Sequence, residues 1–279
     1  MDGISIIIVN YNSGNFISEC VTSIIDAITV PYEIIIWDNN STDNSMFLLH
    51  EKYRHLPQLI THLGKENLGF AKGNNRAAEL AKYEYFHFLN PDTLVNAQLN
   101  REYELILSYD SSDIYVNSLL EKDGSLLVSK HLLPLFGNYM RAFLKIGERK
   151  YWNIGASLIM KKSTFENIGR WPEDYFMYTE DMEVFYVADQ KNIPVRYLDT
   201  KIVHIGKVSS GNRWSDLQRL LVIERSFKHF YFKYNLGYQY YLVRNMQLLY
   251  ILFKEPSNFV ITLKAFLQTG FRKTSPKQP

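Results

Sequence analysis

Strand-like and helix-like segments alternate along the first third of this chain. Three apolar runs, rich in β-branched or aromatic residues, are typical of buried strands; they lie at residues 4–9, 33–37 and 85–89, and residues 58–63 are predicted as one further strand. Apolar residues recur at helical spacing after the first run, and Ser41–Asp43 supply N-cap candidates for a helix after the second. The order β-α-β-α-β-α-β predicts a parallel sheet with crossover helices.

The rest of the chain is predicted with less regularity. Residues 67–75 are polar and contain glycine, which indicates a loop, and residues 76–82 favour a helix. Residues 151–160 are predicted as one strand, and 193–198 and 201–206 as two short strands. From Leu217 the apolar spacing is helical again, so we expect a catalytic part at 1–215 and a helical part at 216–279.

The fourth strand ends at a turn that presents a carboxylate. Pro91 cannot continue a central sheet ladder, so Asp92 projects from the carboxyl end of a strand. Ligands bind at that edge in open α/β sheets, and a lone carboxylate there suits a divalent cation that also holds substrate phosphates. The alternative is that Asn90-Pro91-Asp92 is only a turn, because all three residues are turn formers.

Composition and missing motifs narrow the functional classes. The single cysteine, Cys20, rules out an intramolecular disulfide and fits a reducing compartment. We find no secretory signal pattern and no uncharged apolar stretch of about 20 residues, so a cytoplasmic protein is expected. Neither a G-x-G-x-x-G after the first strand nor a G-x-x-x-x-G-K-[ST] occurs, which argues against dinucleotide binding of that kind and against a P-loop.

The two predicted parts differ in charge. Residues 219–279 hold ten Lys or Arg and two Asp or Glu, a net charge of +8, which leaves 21 basic and 27 acidic residues, a net charge of −6, for 1–218. Basic amphipathic helices with many aromatics suit the headgroup region of an anionic leaflet, so the C-terminal part is expected at a membrane surface. The alternative is that these helices pack on the catalytic part and expose a solvated basic face.

Four motifs in order carry a family resemblance. They are Ile8-Val9-Asn10-Tyr11-Asn12, Trp37-Asp38-Asn39-Asn40-Ser41-Thr42-Asp43, Asn67-Leu68-Gly69-Phe70-Ala71-Lys72-Gly73-Asn74-Asn75 and Leu89-Asn90-Pro91-Asp92. Over residues 4–215 the chain resembles family 2 glycosyltransferases, and most of all the bacterial rhamnosyltransferase-type subgroup. The resemblance implies a GT-A fold: a mixed, mostly parallel α/β sheet flanked by helices, here with a C-terminal helical extension.

The resemblance also implies a donor site. Tyr11 can stack on a pyrimidine base and Asp38 can accept its N–H, while Lys72 can meet a phosphate, unless it is only a solvated surface lysine. The implied donor-binding residues are Asn10, Tyr11, Asn12, Asp38, Asn40, Asn67, Gly69, Phe70, Lys72, Gly73, Asn90 and Asp92. A divalent cation, Mn²⁺ or Mg²⁺, is implied at Asp92.

The metal motif departs from that of the family. The family usually has Asp-x-Asp where this chain has Asn90 and Asp92, and an asparagine brings no charge. His204 is the second metal candidate, because a histidine in this region helps to hold the cation in some GT-A enzymes. The alternative is a structural histidine, as is usual for a lone histidine beside apolar residues.

The stretch Trp171 to Glu183 resembles the family's Glu-Asp acceptor motif at the start of a helix. By this resemblance Asp181 is the base that takes the proton from the acceptor hydroxyl, with Glu180 as the second choice. The alternative is a helix whose acidic first turn only complements its dipole. The implied acceptor-binding residues are Gly155, Ala156, Trp171 and Tyr178.

The activity implied is that of an inverting glycosyltransferase. It moves a sugar from a dTDP- or UDP-sugar, with dTDP-L-rhamnose favoured by the subgroup, to a hydroxyl of a cell-surface glycan or lipid-linked saccharide. It is expected on the cytoplasmic face of the cell membrane as a peripheral protein, with no nucleic-acid partner. Two alternatives stay open: a sugar nucleotidyltransferase, which lacks its basic glycine-rich loop here, and a non-catalytic saccharide-binding relative.

Overall fold

A computed structural model describes residues 2–206 and 215–269. The ends of both predicted parts, at 207–214 and 270–279, lie outside the described residues. One mixed sheet of eight strands forms the centre of the described chain. Its strands are β1 (Ile4–Asn10), β2 (Tyr32–Asp38), β3 (Leu59–Leu63), β4 (Tyr85–Leu89), β5 (Thr93–Leu94), β6 (Ile114–Leu120), β9 (Ser157–Lys161) and β10 (Val195–His204). A second sheet pairs β7 (Lys130–Leu132) with β8 (Tyr151–Asn153).

The order across the large sheet is β3-β2-β1-β4-β9-β6-β10-β5. The first four positions are parallel, as predicted, and β10 is parallel to β6, whereas β9 is antiparallel to both of its neighbours. Every residue of β1 is buried, which explains its unbroken β-branched run, because helices cover both faces of this part of the sheet. The prediction of a mixed, mostly parallel sheet is therefore confirmed.

Ten helices surround the sheets in the described residues. They are α1 (Phe16–Ala27), α2 (Ser45–Tyr53), α3 (Phe70–Ala78), α4 (Gln98–Tyr109), α5 (Phe136–Leu144), α6 (Lys162–Asn167), α7 (Glu180–Gln190), α8 (Asp216–Lys233), α9 (Gly237–Lys254) and α10 (Pro256–Thr269). None of the helices within the described ranges combines the length and the apolar character that a membrane crossing needs.

The sequence placed the third crossover helix wrongly. The predicted loop 67–75 is helical from Phe70, and the helix ends at Ala78 rather than at residue 82. A polar side chain that suggested a loop instead binds a distant part of the chain, since Asn75 Nδ2 donates to the Trp171 carbonyl at 2.9 Å. Gly73 lets α3 lie close to β1, where an added Cβ would be 2.9 Å from Val9 Cγ1.

Two further boundaries differ from the prediction. Residues 151–160 form two strands, because the chain turns at Ile154–Ala156 to cross from the small sheet to the large one. Residues 195–204 form one strand rather than two, with an irregular register between Leu198 and Lys201. In both places the short apolar runs predicted correctly that the residues form strands, but not where each strand begins and ends.

The C-terminal helices share a hydrophobic cluster with the catalytic part. Side chains from the α7 region pack with side chains from α8 and α9: Leu133, Tyr175, Met182, Tyr186, Phe230, Tyr231, Tyr240 and Val243. Ser215 caps α8 through a capping box with Gln218. These helices therefore pack on the catalytic part, whatever else their outer face contacts.

Candidate active site

A cleft of about 270 Å³ opens at the carboxyl ends of the central strands. Twelve of the predicted site residues line it: Tyr11, Asn67, Gly69, Phe70, Asn90, Asp92, Gly155, Ala156, Tyr178, Glu180, Asp181 and His204. The parallel strands β1 and β4 and the antiparallel β9 bring these segments to one edge. Residues that lie up to about 190 positions apart in the chain thus face one space.

Asn90, Asp92 and His204 form one corner of the cleft. His204 Nε2 lies 3.3 Å from Asp92 Oδ1 and 3.4 Å from Asn90 Nδ2. Within the described residues nothing hydrogen-bonds to the buried Asn90 Oδ1 or His204 Nδ1. The backbone fixes this corner, because Asn90 N donates to the Ala156 carbonyl and Ile205 N to that of Asp92, each at 2.9 Å.

The corner tests the predicted metal site. In the described part of the chain, no three His, Cys, Asp or Glu side chains gather as a metal site by themselves. The Asp92 carboxylate, the His204 imidazole and the Asn90 side-chain amide nevertheless lie next to one another. Carboxylate and carbonyl oxygens suit Mg²⁺ and Mn²⁺, which in such sites also bind substrate phosphates. The donor set fits a divalent cation.

The acidic pair stands on the other side of the cleft, at the start of α7. Asp181 Oδ2 accepts the Gly155 backbone N–H at 3.2 Å, and Asp181 Oδ1 accepts the N–H of Met182 at 2.8 Å. Among the described residues, none donates to the buried Glu180 Oε2. Burial raises the pKa of Asp181 to about 6, and burial together with the charge of Asp181 raises the pKa of Glu180 to about 8.

Backbone geometry brings this pair into the cleft. Tyr178 and Thr179 both have left-handed φ angles, 68° and 77°, which are unfavourable for side chains with a Cβ. Gly155 lies against the pair, since an added Cβ would be 3.2 Å from Asp181 Cβ and 3.1 Å from the Trp171 ring. The turn and the glycine together let a carboxylate meet a strand-end amide.

Seven predicted site residues do not line the cleft. Asn10 and Asp38 pair across β1 and β2, where Asn10 Nδ2 donates to Asp38 Oδ1 at 2.7 Å and Asp38 also holds Ser41. Trp171 is only 1% exposed and belongs to the core, and its place among the acceptor residues stays a prediction. The others outside the cleft are Asn12 and Asn40 in the turns after β1 and β2, and Lys72 and Gly73 on α3.

Strand alternation explains what the prediction missed. Successive side chains of a strand point to opposite faces, so Val9 lines the cleft while its neighbour Asn10 does not. By the same rule Asn39, and not Asp38, reaches the cleft, where Asn39 Nδ2 donates to the Gly69 carbonyl at 2.9 Å. Pro91, Ile154 and Met177 also line it. The period-two rule applied to the ends of β1 and β2 could have found Val9 and Asn39.

Comparison with known proteins identifies the family. Residues 5–169 match the sequence model described as Glycosyl transferase family 2. The chain belongs to this family. It is 26% identical over 211 residues to the low-salt glycan biosynthesis hexosyltransferase Agl10 of Haloferax volcanii, covering 70% of this chain and 64% of that protein. It is 32% identical over 125 residues to a poly(ribitol-phosphate) beta-glucosyltransferase of Bacillus spizizenii, covering 43% and 20%. The chain thus spans less than two thirds of either relative.

Two solved structures show the same fold. The structure of S. aureus TarS 1-349 in complex with UDP-GlcNAc has a TM-score of 0.60 at 17% identity, covering 95% of this chain and 79% of that one. GalNAc-T7 with UDP, GalNAc and Mn²⁺ has a TM-score of 0.60 at 16% identity, covering 83% and 50%. The predicted GT-A fold of this family 2 chain is confirmed.

Helix α8 contacts the α7 segment of this family 2 chain. Buried Glu183, one turn after Glu180, accepts hydrogen bonds from Tyr175 Oη at 2.5 Å, Lys233 Nζ at 2.8 Å and Tyr234 Oη at 3.0 Å. Lys233 Nζ also donates to Asp174 at 2.6 Å. Lys233 at the end of α8 and Tyr234 directly after it therefore fix the helix that starts with the acidic pair.

We expect Lys233→Met to destabilise the protein by about 1–2 kcal/mol, because it takes one donor from a buried carboxylate that keeps its two tyrosine donors. Urea unfolding measures the change. Lys264→Met, on the exposed side of α10, is the matched control and should cost less than about 0.5 kcal/mol. Equal stability of the two variants would show that the Glu183–Lys233 contact does not hold α7.

We expect Glu180→Gln to gain stability over the wild type as the pH rises. In the unfolded wild type Glu180 loses its proton near pH 4.5, whereas the folded protein keeps that proton until about pH 8. The native state then binds more protons than the unfolded state, so wild-type stability falls with rising pH across this window. Melting temperatures of both proteins at pH 5 and pH 8 test this. A difference that does not change with pH contradicts the burial of an ionisable Glu180.

Proposed function

We propose that this family 2 chain is an inverting glycosyltransferase that moves a sugar from a nucleoside diphosphate to an acceptor hydroxyl. The observation that supports it best is the placement of Asp92 and the Glu180–Asp181 pair around one cleft. One corner offers oxygen and nitrogen donors suited to a diphosphate with its cation, and the other offers a carboxylate suited to a hydroxyl proton. Glycosyl transfer needs both, because a charged leaving group and an acceptor proton must be handled in one step.

Asp181 is the proposed base. Its carboxylate is held by two backbone N–H groups, which fix its direction, and a pKa of about 6 leaves it ionised at neutral pH while still able to accept a proton. Burial and the charge of Asp181 raise the pKa of Glu180 further than that of Asp181, so Glu180 is the member of the pair that holds its proton more firmly. The acceptor hydroxyl then attacks the anomeric carbon from the side opposite the diphosphate, which inverts the configuration.

Asp92, Asn90 and His204 are the proposed holders of a divalent cation, Mn²⁺ or Mg²⁺. Such an ion supplies charge neutralisation to the leaving diphosphate. Tyr11, Asn67, Gly69 and Phe70 are the proposed walls of the donor site, and Gly155, Ala156 and Tyr178 those of the acceptor site. A role for Asn10, Asp38 or Lys72 would need a donor that extends beyond this cleft.

The proposed substrates are more specific than the fold alone implies. We infer a dTDP- or UDP-sugar donor, with dTDP-L-rhamnose favoured by the subgroup resemblance, and a cell-surface or lipid-linked saccharide acceptor. A relative named as a glucosyltransferase of poly(ribitol-phosphate) and one named for glycan biosynthesis support a glycan acceptor. We also propose that the protein works in the cytoplasm as a peripheral protein of the inner membrane face.

A thermal-shift panel tests the donor and the cation together, because a ligand that binds only the native state raises its melting temperature. We expect dTDP or UDP to raise it with Mn²⁺ or Mg²⁺ present, and to do so much less with EDTA or in the Asp92→Asn variant. Asp113→Asn is the matched control, since Asp113 is equally buried but pairs with Arg196 outside the cleft. Equal shifts for Asp92→Asn and wild type would contradict the cation site.

Product analysis separates transfer from its main rival. Release of a nucleoside diphosphate from a nucleotide sugar supports glycosyl transfer. Release of pyrophosphate from a nucleoside triphosphate would instead support a sugar nucleotidyltransferase. Absence of both products, together with no stabilisation by any nucleotide, would support a non-catalytic relative.

A further inference from the structure

The outer face of α9 has no charged side chain over four turns. Exposed residues recur on one side of the helix, within about 160° of its circumference at 100° per residue: Tyr238, Leu242, Asn245, Met246, Leu249, Tyr250, Leu252 and Phe253. Phe253 is 80% exposed and Tyr238 67%. Of the two charged residues in α9, Arg244 pairs with buried Glu224 and Lys254 ends the helix. A helix face that met only water would carry charges here.

Helix α5 lies against α9 and extends this surface. Phe136 N donates to Gln239 Oε1 at 3.0 Å, and Gln247 Nε2 donates to Tyr139 Oη at 3.1 Å. Just beyond these contacts, the end of α5 and the turn after it expose further large apolar side chains. We define the α5–α9 apolar face as Phe143, Leu144, Ile146, Tyr238, Leu242, Met246, Leu249, Tyr250, Leu252 and Phe253.

The rim of the α5–α9 apolar face is basic. We define the rim as the exposed charged residues within three sequence positions of the face: the cations Arg141, Lys145, Arg149 and Lys254 and the anions Glu148 and Glu255, with a net charge of +2. The sign distinguishes the occupants that an apolar face can have. A second copy of this chain related by a two-fold axis would bring two such rims together, and like charges would repel. An anionic surface would neutralise them.

We propose that the α5–α9 apolar face docks on an anionic lipid leaflet, with its aromatic and aliphatic side chains among the headgroups and upper acyl chains. The basic rim then lies at the lipid phosphates, as in amphipathic helices that lie in the plane of a membrane. This inference deepens the proposed membrane attachment and rests on it, but it does not depend on the sugar that is transferred. It adds α5, which lies outside the basic C-terminal part, and it assigns the contact to one face.

Vesicle flotation of the full chain tests the proposal. We expect the protein to float with vesicles that contain phosphatidylglycerol, less so at high salt, and weakly with phosphatidylcholine alone. The double variant Leu249→Ser/Phe253→Ser should lower the partition coefficient about tenfold or more. The control is Phe47→Ser/Leu105→Ser, which removes side chains of the same types, each more than half exposed, from α2 and α4 and should float as the wild type does.

Three results would overturn the proposal. They are no flotation of the wild type, equal flotation of the two double variants, or flotation that ignores lipid charge. Light scattering tests whether a second copy of the chain covers the face instead. If the wild type is a dimer and the Leu249→Ser/Phe253→Ser variant is a monomer, the face is a contact between two copies. Stabilisation by a nucleoside diphosphate is measured on every variant. It should be retained throughout, so that a failure of membrane docking is distinguished from a failure of the proposed transferase site.

Discussion

Replacing Asp181 with asparagine should lower the rate of sugar transfer about 100- to 10,000-fold, the usual contribution of a general base. Asparagine keeps an oxygen that can accept the Gly155 N–H, so the local backbone should not move. The change also removes a carboxylate whose burial disfavours its charge, and the melting temperature at neutral pH should therefore stay the same or rise. Loss of activity with unchanged or higher stability would separate the base role from misfolding.

The measurement is donor-dependent product formation under saturating donor, with Asp189→Asn as the control. Asp189 lies on the same helix but pairs with Lys150 away from the cleft, so its replacement should leave the rate near that of the wild type. Glu180→Gln completes the comparison. Near-normal transfer by folded Asp181→Asn, together with a large loss in Glu180→Gln, would move the base to Glu180. Near-normal transfer by both variants would remove the acidic pair from the mechanism.

Gly69→Ala should destabilise the protein by about 3 kcal/mol, by two separable effects. The residue has a φ of 83° and a ψ of −179°, a region essentially restricted to glycine, which costs an alanine roughly 1–3 kcal/mol. An added Cβ would also lie 2.4 Å from the Phe176 carbonyl oxygen, and because that atom belongs to the backbone the wall of the cleft must shift, at a further cost of about 1–3 kcal/mol. Urea unfolding measures the sum.

Gly124→Ala is the matched control, because Gly124 has the same φ of 83° and no atom within 4 Å of an added Cβ. It should show the cost of a positive φ without any steric contact, about 1–2 kcal/mol. The additional loss in Gly69→Ala then reports the ψ of Gly69 together with the packing of the start of α3 on Phe176. If the two variants lose the same stability, this packing is not tight and the cleft wall can yield.

Much of the fold followed from the sequence because its signals are local. The buried run Ile4–Val9 and the helical spacing after it report burial within a few residues, and four such units in order leave few topologies besides a parallel sheet. The boundaries at 67–75 and 151–160 were wrong because the side chains there serve distant partners. Asn75 holds the Trp171 carbonyl, a contact 96 residues away that no local pattern records.

The sequence by itself determined the sheet, the turn after β4 that presents Asp92, and the acidic start of α7. Each of these features depends on residues that are close together in the chain. Only the tertiary structure decided which polar groups face the cleft. Asn10 donates a hydrogen bond to Asp38 across two strands, and Trp171 is buried in the core. Lys233 of α8 binds Glu183 and so holds α7 in place. The tertiary structure also decided the raised pKa values of Glu180 and Asp181, because burial and the proximity of charges depend on how the whole chain packs.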